Sequence, residues 1–248
     1  MGSLLIVPVA RAAEPDLSTM QAAADKGDAE AEFQVGRAYL RGDGIPKDPV
    51  KAADYFRKSA EQGNPKAENN LASMYQVGEG VKEDLNAAAT WYRKAAEQGA
   101  SLAEDNWAGM LARGRGVPRD LQQAAVWYQK AAEQGLADAQ IKLGMAYEHG
   151  MGVPRDPKLA VPWYQKAATQ GDAAGQAELG RVYCSGIGVD KDLVTGFKWL
   201  ILSANQGNMK AKAVMTELRP IITPEQFTEA SRLAASEKVP TAVSPAAF

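Results

Sequence analysis

The chain has 248 residues, 46% hydrophobic and 23% charged, the balance of a folded protein and not of a disordered segment. Its 28 Lys and Arg stand against 30 Asp and Glu, a formal net charge of −2, so the basic excess of a general nucleic-acid binder is missing. The single cysteine, Cys184, excludes an intrachain disulfide, and no apolar run approaches the roughly 18–20 residues that a membrane-spanning helix needs.

From the N-terminus, the short apolar run Leu4 to Val9 is followed by Ala10-Arg11-Ala12-Ala13. This resembles the end of a secretory signal peptide, with Ala10 and Ala12 as the small residues of the cleavage site. Residues 1–13 are therefore expected to be a signal-peptide remnant or an appended tail. The location expected on that basis is periplasmic or secreted, with the cytoplasm as the alternative.

Beyond this segment the chain is periodic. Gly27, Gly63, Gly99, Gly135, Gly171 and Gly207 are each 36 residues apart. The same spacing links Gly42, Gly78, Gly114, Gly150 and Gly186, and again Gly44, Gly80, Gly116, Gly152 and Gly188. A fourth column is Asp48, Asp84, Asp120, Asp156 and Asp192. An unbroken period of this length marks a repeat array, with units at about 28–63, 64–99, 100–135, 136–171 and 172–207.

Each unit reads as two helices. Helix A of the first runs from about Asp28 to Leu40, with Ala31, Val35, Ala38 and Tyr39 on one face. Helix B runs from about Pro49 to Gln62, with Ala52, Tyr55, Phe56, Ser59 and Ala60 along its apolar stripe. The glycines are expected to terminate helices in the left-handed conformation. The aspartates are expected to cap helix B, whose first helical position holds Pro49 and Pro157 in two repeats. Met20 to Gly27 aligns with the second half of a helix B. At the far end Asn208 to Leu218 matches helix A loosely, and Thr223 to Gln226 forms a capping box before a last helix bearing Phe227, Ala230, Leu233 and Ala234. These ends read as caps over an otherwise open core. Domain organisation is thus a solenoid over 14–238 and a tail over 239–248 that is expected to be disordered.

Catalytic and metal constellations are not apparent. The aligned aspartates lie one repeat apart, roughly 8–10 Å or more, too far for a carboxylate pair. His149 is the only histidine, which excludes a His-based zinc cluster or a Ser-His-Asp triad. No Ser has Lys three residues on, and the G-x-G pairs lack the third glycine of a dinucleotide loop. Cys184 reads as an inert thiol, and Trp91, Trp127 and Trp163 as core packing. No cofactor or metal is expected.

The segment from Ala139 to Gly171, with Leu143-Gly144, Tyr147, Gly150-x-Gly152-Val153, Asp156, Ala160, Trp163-Tyr164 and Lys166-Ala167-Ala168, resembles the Sel-one-like repeat, a relative of the tetratricopeptide repeat. Departures elsewhere, namely Ala72 and Ala108 for the helix-A glycine, Leu111 for Tyr and Gly196 for the helix-B alanine, read as drift between repeats. The resemblance implies an all-α, right-handed superhelix and a scaffold that binds a protein or peptide on its concave side, in bacteria often in the envelope or outside the cell. The alternatives are a lactamase-like or cell-wall-acting hydrolase and a purely structural envelope component. The oligomeric state is left open by the sequence, with a monomer favoured.

With helix A lining the inner wall, the face opposite its core stripe supplies the candidate partner contacts: Phe33, Arg37 and Arg41; Asn69, Ser73 and Val77; Asp105 and Arg113; Ile141, Met145 and His149; and Arg181. Arg can offer bidentate contacts to an extended peptide, and Ile141 with Met145 an apolar pocket.

Overall fold

A computed structural model describes residues 16–237. The expected N-terminal remnant (1–13) and C-terminal tail (239–248) lie outside the described residues. Thirteen α-helices and no strand occur among those described. A half-unit, α1 (Leu17–Ala24), opens the array. The A helices are α2 (Ala29–Arg41), α4 (Pro65–Val77), α6 (Ser101–Arg113), α8 (Ala137–His149) and α10 (Ala173–Ser185). They alternate with the B helices α3 (Pro49–Glu61), α5 (Leu85–Glu97), α7 (Leu121–Glu133), α9 (Pro157–Thr169) and α11 (Leu193–Asn205). The chain ends in α12 (Met209–Leu218), one 3₁₀ turn and α13 (Pro224–Ser236).

Helix lengths follow from the punctuation. Every Asp of the fourth column is an N-cap: Asp48 accepts from the Lys51 amide at 3.1 Å, Asp120 from Gln123 at 2.9 Å and Asp156 from Lys158 at 3.0 Å. Each such cap is worth about 1 kcal/mol. All residues with positive φ among those described are the glycines of the three columns, at +65° to +94°. The A–B turn is closed by one recurring bond, from the Asp amide back to the carbonyl nine residues earlier, as in Asp84 to Tyr75 and Asp156 to Tyr147 at 2.9 and 2.8 Å. The acceptor is main chain, so Leu111 serves Asp120 as well as Tyr serves elsewhere, at 2.9 Å.

The second glycine of each pair does more than turn the chain. A Cβ on Gly152 would lie 1.9 Å from the Leu121 carbonyl oxygen, and one on Gly116 2.1 Å from that of Leu85. Gly80, Gly116, Gly152 and Gly188 therefore pack on the first turn of the preceding repeat's helix B with no room for a side chain, whereas a Cβ on Gly44 would meet only the Leu17 side chain at 3.7 Å. By contrast, a Cβ on Gly135 would meet nothing within 4 Å.

The core runs the length of the stack between the two helix layers. Phe56, Tyr92, Tyr128, Tyr164 and Leu200 occupy equivalent places on successive B helices, against Leu71, Leu143 and Leu179 of the A helices. At the C-terminal end α12 and α13 both pack on α11, Phe227 meeting the Phe197 ring edge-on at 6.0 Å between centroids. Ala230 and Ala234 are buried there, and Thr223 and Gln226 form the expected reciprocal capping box.

Candidate functional site

Several neighbouring A helices touch directly, α4 on α6, α8 on α10 and α10 on α12, whereas neighbouring B helices make no comparable contact. Where such a stack curves, its closer-packed layer is the inner one, which puts the A helices on the concave side. Side chains stitch this wall from repeat to repeat. Asn106 Nδ2 donates to Asn69 Oδ1 at 3.0 Å, and Lys142 Nζ donates to both oxygens of Asp105 at 2.6 and 2.8 Å. Farther along, Arg181 Nη2 reaches Glu148 at 2.6 Å while its Nε holds Glu178 at 2.8 Å. Lys210 Nζ pairs with the other oxygen of Glu178.

This stitching changes the standing of several expected contact residues. Phe33, Asn69, Asp105 and Ile141 were expected on an open face, yet each is at most 9% exposed. Phe33 lies beneath the cations of Arg37 and Lys66, 5.6 and 5.7 Å from its ring centroid. Asp105 is consumed by Lys142; burial pushes its carboxyl pKa up, against the pull of that lysine. Ile141 belongs to the core around Tyr164 and Leu179, and Met145 packs against that same core. Met145 also borders a small cavity of about 150 Å³ with Tyr128 and Met151.

Arg181 is half-buried and committed to two glutamates. Burial works against the charge on Glu148, but hydrogen bonds from Arg181 and Tyr164 outweigh it and hold its pKa below the usual carboxylate range. Arg37 is half-buried, its Nη1 3.2 Å from Gln34 Oε1. The residues that do stand on the surface are Arg41, Ser73, Val77, Arg113 and His149. Four of these, Arg41, Val77, Arg113 and His149, end successive A helices and form one row. No group of three or more metal-ligating side chains occurs among the described residues. Cys184 is buried, which pushes its thiol up to about 11 and leaves little thiolate at neutral pH.

The Sel1 repeat profile matches residues 29–64, 65–99, 101–136, 137–172 and 173–208. The chain belongs to the Sel1 repeat family. Proteins of this family are typically protein–protein interaction scaffolds and generally non-enzymatic. A Sel1 repeat protein from Oxalobacter formigenes is 30% identical with a TM-score of 0.78, over 90% of this chain and 91% of that one. A protective antigen of uropathogenic Escherichia coli strains with an SLR fold is also 30% identical, TM-score 0.71; the match covers 90% of this chain but spans only 56% of the antigen's length. An immunity protein from Pseudomonas aeruginosa, at 23% identity over 84% of this chain and 78% of that one, TM-score 0.51, shares the fold. No curated protein matches the chain.

Two features of the Sel1 repeats here escaped the sequence reading. The first is a part-buried ladder between exposed glutamines and buried helix-A side chains. The Gln that ends each helix B reaches back to helix A of its own repeat, Gln62 to Glu32, Gln98 to Glu68 and Gln134 to Glu104, each at 2.7 Å. In the last two repeats Gln170 and Gln206 meet Gln140 and Gln176 instead, at 2.8 and 2.9 Å. Burial raises the carboxyl pKa of Glu32, Glu68 and Glu104.

The second concerns the starts of the A helices. Asp28, Asn64, Asp172 and Asn208 are side-chain N-caps, one residue before the helix that was expected to begin at Asp28. Ala100 and Leu136 stand at the same position in the third and fourth repeats, and α6 and α8 begin without a side-chain cap.

Proposed function

We propose that this Sel1 repeat protein is a scaffold that holds a protein or peptide along the wall of its A helices. The observation that carries the reading is the contrast between columns. Glycine, aspartate and core positions repeat almost unchanged, whereas the wall row reads Arg41, Val77, Arg113, His149, and the row beside it Arg37, Ser73, Gly109, Met145, Arg181. A surface that reads one partner must differ along its length, and a surface that only covers a core need not. Family membership supports the same reading, and so does the absence of a nucleophile-and-base set among the chain's residues.

The test is co-purification of partners from the native host by wild-type protein and by two charge variants. Arg41→Glu with Arg113→Glu alters the wall; Thr90→Glu with Gln122→Glu alters exposed positions on the B helices. Loss of a specific partner in the first variant and retention in the second is the expected outcome. Retention by the first and loss by the second places the partner elsewhere. Export to the periplasm or beyond is part of the proposal, and it requires mature protein to begin near Ala13 or Glu14 when sequenced from that host.

A further inference from the structure

The two uncapped helices border one groove. It has a volume of about 260 Å³ and is lined by Phe33, Pro65, Ala100, Leu102, Leu136 and further residues, among them Lys66 and Asn70. The walls are mainly apolar. Lys66 is the only charged side chain among the lining residues, and no carboxylate is among them. The N-termini of α6 and α8 enter at Ala100 to Ala103 and Leu136, the places where α2, α4, α10 and the partial A helix α12 carry Asp or Asn. An A helix that lacks its cap keeps first-turn amides without a side-chain cap, although Glu104 and Asp138 stand in the first turns of α6 and α8. A second observation is independent of the helix ends. Asn70 lines the groove, is 7% exposed, and its buried Nδ2 has no hydrogen-bond partner. A buried donor left unpaired costs free energy that an arriving acceptor returns.

We propose that this groove receives the C-terminus of a peptide. An apolar last side chain lies against Phe33, Pro65, Leu102 and Leu136, and the terminal carboxylate accepts from Asn70 and from the free amides at the start of α6. Among its lining residues the groove offers donors and Lys66 but no carboxylate, so its occupant supplies the anion, and the mainly apolar walls call for an apolar group beside it. This rests on the scaffold reading and gives it a partner chemistry, a chain end in place of an internal segment.

The experiment uses the full-length chain and fluorescent hexapeptides ending in Leu, Phe, Ser or Lys, each as free acid and as amide, read by polarisation. Free acids ending in Leu or Phe are expected to bind at least tenfold tighter than their amides and than acids ending in Ser or Lys. The decisive variant is Ala100→Asp with Leu136→Asp, which supplies both missing caps and places carboxylates in the groove. It is expected to remain folded and to weaken the Leu and Phe acids at least tenfold. Asn70→Leu, which removes the unpaired donor but keeps the volume, is expected to fold normally and to lose the preference for acid over amide. Equal binding of acid and amide, no binding of any acid, or full binding by the doubly capped variant overturns the proposal. A native partner that still depends on Arg41 and Arg113 but not on these caps leaves the scaffold reading standing and sinks this one alone.

Discussion

Gly152→Ala and Gly135→Ala put the same atom on two glycines of nearly the same conformation, φ +79° and +94°. The conformational penalty for a left-handed alanine is common to both, about 1–2 kcal/mol. At Gly135 nothing lies within 4 Å of the new Cβ, so this is the whole cost. At Gly152 the Cβ would sit 1.9 Å from the Leu121 carbonyl oxygen and 2.4 Å from its carbon. The obstacle is backbone of the preceding repeat and cannot rotate away, so the third and fourth units must part along this seam. Overpacking of that kind costs a further 1–3 kcal/mol or so, giving roughly 2–5 kcal/mol in all. For a chain of this size about 2–4 °C accompanies each kcal/mol, so Gly152→Ala should melt several degrees below Gly135→Ala. Thermal and urea unfolding followed by far-ultraviolet circular dichroism measures both. Equal midpoints for the two variants would show that the Gly152–Leu121 approach is not a constraint, and the account of the repeat seam would fail.

Other perturbations separate structure from recognition. Burial raises the pKa of Glu104 above its unfolded value, so the stability linked to that shift is present at low pH and is lost as pH rises through the folded value. Glu104→Gln, which copies Gln140 and Gln176, should therefore stabilise the protein at pH 7–8 by about 1 kcal/mol, with the gain shrinking toward pH 4; a gain that is flat with pH would refute the cause. Arg181→Ala removes the cation shared by two buried carboxylates, leaving Glu148 with Tyr164 and Glu178 with Lys210, and should cost about 3–5 kcal/mol in urea unfolding. Arg113→Glu, at an exposed helix end, should change stability by less than about 0.5 kcal/mol. Reversing Lys94 and Lys130 would be a poor control for binding, because their Nζ atoms lie 4.3 and 3.7 Å from the Trp91 and Trp127 ring centroids. Their Ala variants should each cost about 0.5–1 kcal/mol and so lower the melting temperature slightly.

The architecture was legible because its signals are local and repeated. Each Asp cap and glycine turn is encoded within a few residues, and five copies average out the exceptions. Gly196 shows the limit of reading such exceptions as drift. A Cβ there would lie 2.3 Å from Cys184 Sγ, so the missing methyl and the thiol are one packing solution across α10 and α11. The wall was less legible. An amphipathic helix in isolation has one buried face, but a helix A in this stack has neighbours before and after it as well as beneath it. Positions opposite the core stripe are therefore buried against the next repeat, as Asn69 is by Asn106 and Asp105 by Lys142. The opposite charges of Asp105 and Lys142, 37 residues apart, were a signal for that contact. The helix-A caps were also readable, since Asp28, Asn64, Asp172 and Asn208 share the repeat spacing.

Site-specific photocrosslinking in the native host tests the central claim, that partners are held along the A-helix wall. A photoreactive residue at Val77, Arg113 or His149 reports on the wall, and one at Thr90 or Gln122 on the exposed side of the B helices. The account predicts the same protein adduct from at least two wall positions and none from the B-helix positions. That adduct appearing from Thr90 or Gln122, with the wall positions silent, would contradict it.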